Sequence, residues 1–275
     1  GTDIMPWTKL KNIILAILVL TNVCLLSLVA GPAIQSRRQL SQAREEAIRF
    51  LRSRGVQVEE DVIPQSMELT PQVLERDLEE EARAAAALLG GTVSVRARGG
   101  GVYRYDSENG SVQFHSDGTV SAQLKPGAFP LGTDRAEECL ALMKRLGCEG
   151  IIAEELENEL TFRQSWRGSP LFTQQVTLVC GAEGLTAITA GRQMIGQPQE
   201  DTSRSTLSVA TVVIDFINGM SALGDVCNRI DSIEPGYITA ASLSGPTVLT
   251  PVWRVTTDTG AYQIDTVTGG VSRVS

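Results

Sequence analysis

From residue 13 to residue 30 the chain is almost wholly aliphatic, and no charged side chain occurs between Lys11 and Arg37. A helix needs about 20 apolar residues to cross a bilayer, so the pattern predicts a transmembrane anchor over residues 12–34, with a short tail, residues 1–11, ahead of it. A cleaved signal peptide is the competing reading. The run exceeds the roughly 7–15 residues of a usual h-region, and Gly31-Pro32-Ala33 makes a poor cleavage site. Cys24 follows Thr21-Asn22-Val23, without the small residue that stands beside a lipidated cysteine. Beyond the anchor, Leu40, Ala43, Ala47 and Leu51 recur at helical spacing among Arg and Glu, Gly55 is placed as a C-cap, and residues 56–67, interrupted by Pro64, read as extended. Residues 35–66 are therefore expected to form a juxtamembrane helix with a solvated face, then a linker.

The remainder repeats one order of elements, a helix and then an antiparallel meander. Thr70-Pro71 has the chemistry of a helix start, with Leu69 and Leu74 placed for a hydrophobic staple; Leu74, Leu78, Ala82, Ala85 and Leu89 form a stripe ended by Gly90-Gly91. β-Branched and aromatic runs follow at 102–105, 112–115 and 119–124, separated by Asn109-Gly110 and Asp117-Gly118, which are strong hairpin signals. A second round opens with a capping box, Asp134 and Glu137, ahead of a stripe of Ala136, Leu140, Met143 and Leu146. Strands are expected at 160–166, 172–179 and 185–190. A third helix, with Leu207, Thr211, Ile214 and Asn218 on one face, precedes strands at 226–230, 237–243, 251–257, 261–265 and 271–274. The expected fold class is α+β: a transmembrane helix followed by tandem helix-plus-antiparallel-sheet units, one at 67–130 and two within 131–275.

A 275-residue chain with 42% hydrophobic content but only 5% aromatics calls for several modest cores and excludes whole-chain disorder. Its net charge of −8 lacks the electrostatic footprint of a nucleic-acid binder, so no nucleic-acid partner is expected. Lys9 and Lys11 precede the anchor while Arg37, Arg38 and Arg44 follow it, so flanking charge alone does not orient it. The acidic, strand-rich body decides the matter, because long domains translocate largely regardless of charge. The chain is thus read as single-pass, with a cytoplasmic N-terminus and an extracytoplasmic C-terminal domain. Gly1 to Ile4, ahead of Met5, are read as an upstream extension or tag remnant.

Candidate chemistry is sparse, and the chain is read as a non-enzyme. With Cys24 in the anchor, Cys139, Cys148, Cys180 and Cys227 are too scattered for a disulfide scaffold. A bridge is permitted outside the cytoplasm and three pairings are open, but most are expected to be buried thiols. The lack of Cys-x-x-Cys and the single His115 speak against zinc, and no cofactor or metal is expected. His115 would have to serve any Ser/His/Asp triad, yet no Gly-x-Ser-x-Gly elbow accompanies it. Glu154, Glu155, Glu157 and Glu159 raise acid/base chemistry but read as a wet surface, as do Glu79, Glu80 and Glu81. Gly99-Gly100-Gly101 lacks the Lys-Ser/Thr of a P-loop. Within the anchor, Asn22 is unfavourable in lipid unless it bonds another helix, and Ser27-x-x-x-Gly31 is a small-xxx-small spacing, so Asn22, Ser27 and Gly31 are the candidate partner contacts. Pro251-Val252-Trp253-Arg254-Val255 and Ala261-Tyr262-Gln263-Ile264-Asp265 read as a hairpin with Trp253 and Val255 on one face.

Three features together carry a resemblance. Met5-Pro6-Trp7-Thr8-Lys9-Leu10-Lys11 runs straight into the anchor, the post-anchor helix leads into a Gly-Val-x-Val run with a proline soon after, and the chain closes on the Trp253 hairpin with Tyr262 and Asp265. In these respects it resembles the YycI type of regulatory protein, accessory to the cell-wall two-component system of Gram-positive bacteria and related to the YycH proteins. The resemblance implies a membrane-anchored regulator of a sensor histidine kinase, paired with a YycH-like partner, with Pro251, Trp253, Arg254, Tyr262 and Asp265 as its structural motif. Pro6, where that family often has an acidic residue, and the shortage of aromatics depart from it. The rival reading is a tethered module that binds peptides or proteases, similar to PepSY or cystatin domains.

Overall fold

The computed structural model of the chain describes residues 7–64, 69–241 and 245–274; side chains at 7–10, 12–13, 26–37 and 190 lie outside the described set. One helix, α1 (Trp7–Ser53), runs through both the expected anchor and the expected juxtamembrane helix. Among the described residues no helix is long and apolar enough to cross a membrane. The anchor expected at 12–34 falls partly outside the described side chains, and the described aliphatic residues from 14 to 25 stand exposed along α1. The last turns of α1 are not simply solvated, because Ala47, Ile48 and Leu51 are buried against a C-terminal core. Gly55, at φ +82°, closes the helix as expected: Val56 N–H donates to Leu51 O and Gly55 N–H to Arg52 O, a Schellman motif. The expected linker is tied down too, since β1 (Gln57–Val58) pairs with a later strand and Ile63 is buried.

Two cores organise the rest of the chain. The first lies beneath an antiparallel sheet of β3 (Ser94–Gly99), β4 (Val102–Ser107), β5 (Gly110–Phe114), β6 (Thr119–Leu124), β7 (Glu149–Glu155), β8 (Glu159–Trp166), β9 (Ser169–Gly181) and β10 (Gly184–Arg192). Helices α2 (Leu78–Leu89) and α3 (Arg135–Arg145) pack on it together, so the first two expected rounds share one core. The second core joins α1 and α4 (Val209–Ala222) to β12 (Arg229–Ala240), β13 (Thr247–Thr257), β14 (Gly260–Asp265) and β15 (Val271–Arg273). Two short strands, β2 (Gln72–Leu74) and β11 (Gln199–Glu200), extend this half beyond β13. The result is a mixed α+β fold around one large sheet.

Several elements depart from the sequence expectation. Thr70-Pro71 starts no helix: Gln72–Leu74 is a strand bonded to β13 and β11, and Pro71 O accepts from Asp201 N–H at 2.9 Å. Pairing on both sides satisfies the backbone there, and the helix waits for Asp77, whose Oδ1 accepts from Glu79 N–H at 2.9 Å and Glu80 N–H at 3.2 Å. Its buried face is Glu81, Ala84, Ala85, Leu88 and Leu89, with Leu78 exposed. Asp134 does cap α3, accepting from Glu137 N–H, but the buried face is Cys139, Leu142 and Met143. In α4 the apolar β-branched residues surround the helix, and Val209, Val212, Val213, Phe216 and Met220 go inward while Ile214 stays exposed. β3 and β7 are strands beyond those expected, β3 alternating Val95 and Ala97 with arginines yet exposed throughout and β7 lacking clear alternation, and the separate strands expected at 226–230 and 237–243 are replaced by one longer β12.

The two halves of the sheet join where β12 runs parallel to β9, with Tyr237 opposite Leu171. Thr173 Oγ1 accepts the Thr239 N–H at 2.8 Å, extending the contact through a side chain. Gly236 makes the approach possible, since a Cβ there would lie 2.6 Å from Pro170 O and 2.5 Å from the Phe172 ring. Leu74, Trp166, Leu171, Met194, Tyr237 and Leu249 pack as a small third cluster at the junction. Gly236→Ala is expected to force these strands apart and destabilise the fold by about 1–3 kcal/mol, measured by denaturant titration of the far-ultraviolet circular dichroism signal.

Candidate functional site

Where the two halves meet, the chain leaves a cavity of about 290 Å³. Four segments contribute to its rim: the residues after β2, the β5–β6 turn, the residues after β10, and Ala241, Gly245 and Thr247 around the β12–β13 connection. The Asp117-Gly118 dipeptide makes the turn as its sequence predicts, with Gly118 at φ +81° and His115 N–H donating to Thr119 O at 2.9 Å. Asp117 Oδ1 accepts from Thr119 N–H at 2.9 Å. That bond, against some desolvation, holds the Asp117 carboxyl below its usual range, with the Thr119 hydroxyl, His115 and Arg192 adding to the effect.

Arg76 is locked in place on one wall. Its Nε and Nη2 grip the Glu81 carboxylate at 2.7 and 3.0 Å, Nη1 donates to Gly101 O at 2.5 Å, Nη2 also reaches Phe114 O at 3.3 Å, and the guanidinium lies 5.2 Å from the Tyr103 ring centroid. Glu81 is itself buried, so this bidentate pair ties α2 to the hairpins, while the Arg76 side chain stays 26% exposed. On the opposite wall, the segment after β10 is fixed by Gln164, whose amide donates to Met194 O and accepts from Met194 N–H, both at 2.8 Å. The preceding residue, Gln193, is 3% exposed and its Nε2 is buried without a hydrogen-bond partner. Gln174, also on the cavity wall, meets the Thr239 hydroxyl at 2.8 Å.

Of the residues singled out in the sequence, His115, Gly101 and Glu81 line this cavity, and Glu81, expected on a solvated face, is instead buried against Arg76. Glu154, Glu155, Glu157 and Glu159 are exposed and do not line it, and Glu155 pairs with Arg135 at 3.6 Å. The hairpin motif is structural. Trp253 and Tyr262 are buried in the second core, Tyr262 O–H donates to Asp225 at 2.8 Å, Asp265 Oδ1 accepts from Val267 and Thr268 N–H, and Pro251 O accepts from Thr266. Arg254 stacks 4.1 Å from the Phe172 ring centroid across the junction. In α1, the Asn22 amide donates to Leu18 O of its own helix at 3.0 Å, while the side-chain positions of Ser27 and Gly31 lie outside the described set. Cys139 and Cys148 are buried thiols pushed up to about 12, by desolvation and, for Cys139, also by neighbouring Cys180. Among the described residues no group of three His, Cys, Asp or Glu side chains could hold a metal ion.

Sequence reasoning missed Glu75, Arg76, Gln174 and Gln193. Gln164 and Gln174 carry a signal, since each takes an inward position in a strand whose other inward residues are apolar. Gln193 carries none, because it follows the strand and its burial depends on the β5–β6 turn.

No protein-family description matches the chain, and no curated protein matches it. Among solved structures, an uncharacterized protein from Eubacterium rectale is 15% identical and superposes with a TM-score of 0.39, covering 75% of this chain and 86% of its own. The YpeB C-terminal domain of Bacillus megaterium is 10% identical, with a TM-score of 0.37, covering 74% of this chain and 99% of that domain. Both are partial likenesses.

The lowered Asp117 carboxyl has a consequence for stability. A depressed folded-state pKa stabilises the fold above the unfolded value, about 4, and that contribution disappears as pH falls through the folded value. Denaturant titrations at pH 7 and pH 3 are expected to show a smaller acid loss in Asp117→Asn than in the parent chain.

Proposed function

We propose that the chain is a membrane-anchored accessory regulator that works by protein–protein contact, anchored through residues 12–34, with its α+β body outside the cytoplasm. The observation that carries this reading is the continuity of α1, whose exposed aliphatic stretch and whose docked turns, Ala47 to Leu51, belong to one helix. A contact made in the membrane is then mechanically joined to the second core. The likeness of both chain ends to YycI-type proteins supports a sensor histidine kinase as the partner, with a YycH-like protein beside it. Asn22, Ser27 and Gly31 are the proposed contacts in the membrane. Regulation requires that the chain bind the two kinase states unequally, because equal affinity shifts nothing.

The junction cavity favours a second reading, a tethered module that binds peptides or proteases. Crosslinking of the full chain in its native membrane, with mass spectrometry of what co-purifies, separates the two. On the regulator reading a sensor kinase is recovered, and it is lost when residues 12–36 are replaced by an unrelated span or when Asn22→Leu and Gly31→Leu are combined. Recovery of envelope proteins unaffected by the swap would support the tether instead. Leu51→Ala is expected to destabilise the body by about 2–5 kcal/mol and to reduce target-gene output while the chain stays in the membrane fraction.

A further inference from the structure

Two thiols of the first core meet across its helix–sheet interface. Cys139, on the inner face of α3, is fully buried, and Cys180, near the end of β9, is 3% exposed. The Cys139 S–H donates to the Cys180 sulfur. The other body cysteines face backbone carbonyls: Cys148 lies 3.7 Å from Met194 O, and Cys227, beside the second core, lies 3.7 Å from Arg229 O. Of the three pairings open to four cysteines, the one that joins 139 to 180 starts from side chains already in contact. The pair also sits at an edge of its core. Cys180 precedes the β9–β10 turn, and its N–H donates to Asn158 O at 2.8 Å in the exposed β7–β8 turn. Arg135, the first residue of α3, closes the same edge, donating to Glu157 O at 2.6 Å and to Leu156 O at 3.5 Å and pairing with Glu155 at 3.6 Å.

We infer that Cys139 and Cys180 are a redox pair that closes to an intramolecular disulfide and pins α3 to β9. The oxidant is an exogenous disulfide, RSSR. Cys180, the less buried of the two, attacks one of its sulfurs as the thiolate; the S–S bond of RSSR breaks and one thiolate, RS⁻, leaves. The Cys139 sulfur then attacks the Cys180 sulfur of the mixed disulfide, and the second RS⁻ leaves. The cysteines give up two electrons and two protons, and RSSR, having taken both, ends as two RSH. Burial raises both thiols above their ordinary value while the Arg135 guanidinium lowers both, so the exchange is slow at neutral pH. Loosening of the exposed β7–β8 turn, a local opening rather than unfolding of the core, admits the oxidant. The setting rests on the extracytoplasmic placement proposed above, where thiols meet such oxidants.

The test uses the full chain purified in detergent, fully reduced, then equilibrated with mixtures of oxidised and reduced glutathione. Samples are quenched with acid, alkylated after unfolding and digested with trypsin, which places Cys139, Cys148, Cys180 and Cys227 on separate peptides for mass spectrometry. The expected product is a crosslink of the Cys139 and Cys180 peptides within one chain, with Cys148 and Cys227 recovered alkylated. The bond closes a loop of about 40 residues, so the oxidised chain should melt about 5 °C or more above the same sample treated with dithiothreitol. That difference should vanish in Cys139→Ala and in Cys180→Ala. Recovery of both thiols alkylated under fully oxidising glutathione overturns the proposal, as does a dominant crosslink between any other cysteines or an oxidised chain that melts no higher than the reduced one. If either variant fails to fold, the peptide map of the parent chain decides the matter. The outcome is read on purified chain, whereas placement outside the cytoplasm is tested in the native membrane, so the failure of one is distinguishable from the failure of the other.

Discussion

The parallel contact between β9 and β12 is the constraint on which the rest of the structure depends. One register pair, Tyr237 with Leu171, joins two largely antiparallel halves in one sheet. Little backbone pairing is available there, so side chains supply the remainder. The Thr173 hydroxyl takes the Thr239 N–H, Tyr237 O–H reaches back to Thr70 O, and Trp166 meets Tyr237 edge to face at 6.1 Å. The cavity is the geometric remainder of this join. Two twisted sheets that touch along one short line diverge on either side of it, and the gap opens where β2, the β5–β6 turn and the end of β10 come nearest.

A chain with so few aromatics places them economically. Each of the three apolar clusters holds one edge-to-face pair: Tyr105 with Phe114, Trp166 with Tyr237, and Phe216 with Tyr262. Aliphatic residues fill the remaining volume, and arginines lie over ring faces, as Arg76 does over the half-buried Tyr103 and Arg254 over the buried Phe172. Arg254 shows the cost of this arrangement. Its guanidinium is pushed below its ordinary basicity by desolvation, and its Nε is buried without a partner.

The features legible in the sequence are those that neighbouring residues decide. Asn109-Gly110 and Asp117-Gly118 make hairpin turns, Asp134 caps its helix, and Gly55 ends α1 at positive φ with a pair of backbone bonds that recurs at Gly147 and Gly224. The features that are not legible are decided by distant chain. Thr70-Pro71 has every local mark of a helix start, yet the edge of β13, some 175 residues later, claims its successors as a strand. The inward face of α4 is hidden in the sequence because Val, Thr and Ile surround the helix, so that the sheet beneath chooses which side is buried. The candidate site is the least legible part. His115 stands out in the sequence, but it reaches the cavity as one wall residue among others, and Gln193 owes its burial to a turn some 75 positions earlier.

The docking of α1 has a geometric consequence. From the buried turns at Ala47 and Leu51 back to the exposed aliphatic residues near Ile14 the helix extends about 50 Å at 1.5 Å per residue. An arm of that length fixed at one end is an amplifier as long as it stays straight through Gly31-Pro32. Each degree of tilt at the α1–α4 contact displaces the far end by about 1 Å, roughly the scale of the helix shifts that switch interfaces elsewhere. A repacking of Leu51 against α4 too small to alter the fold is thus large enough to be felt at the other end of the helix.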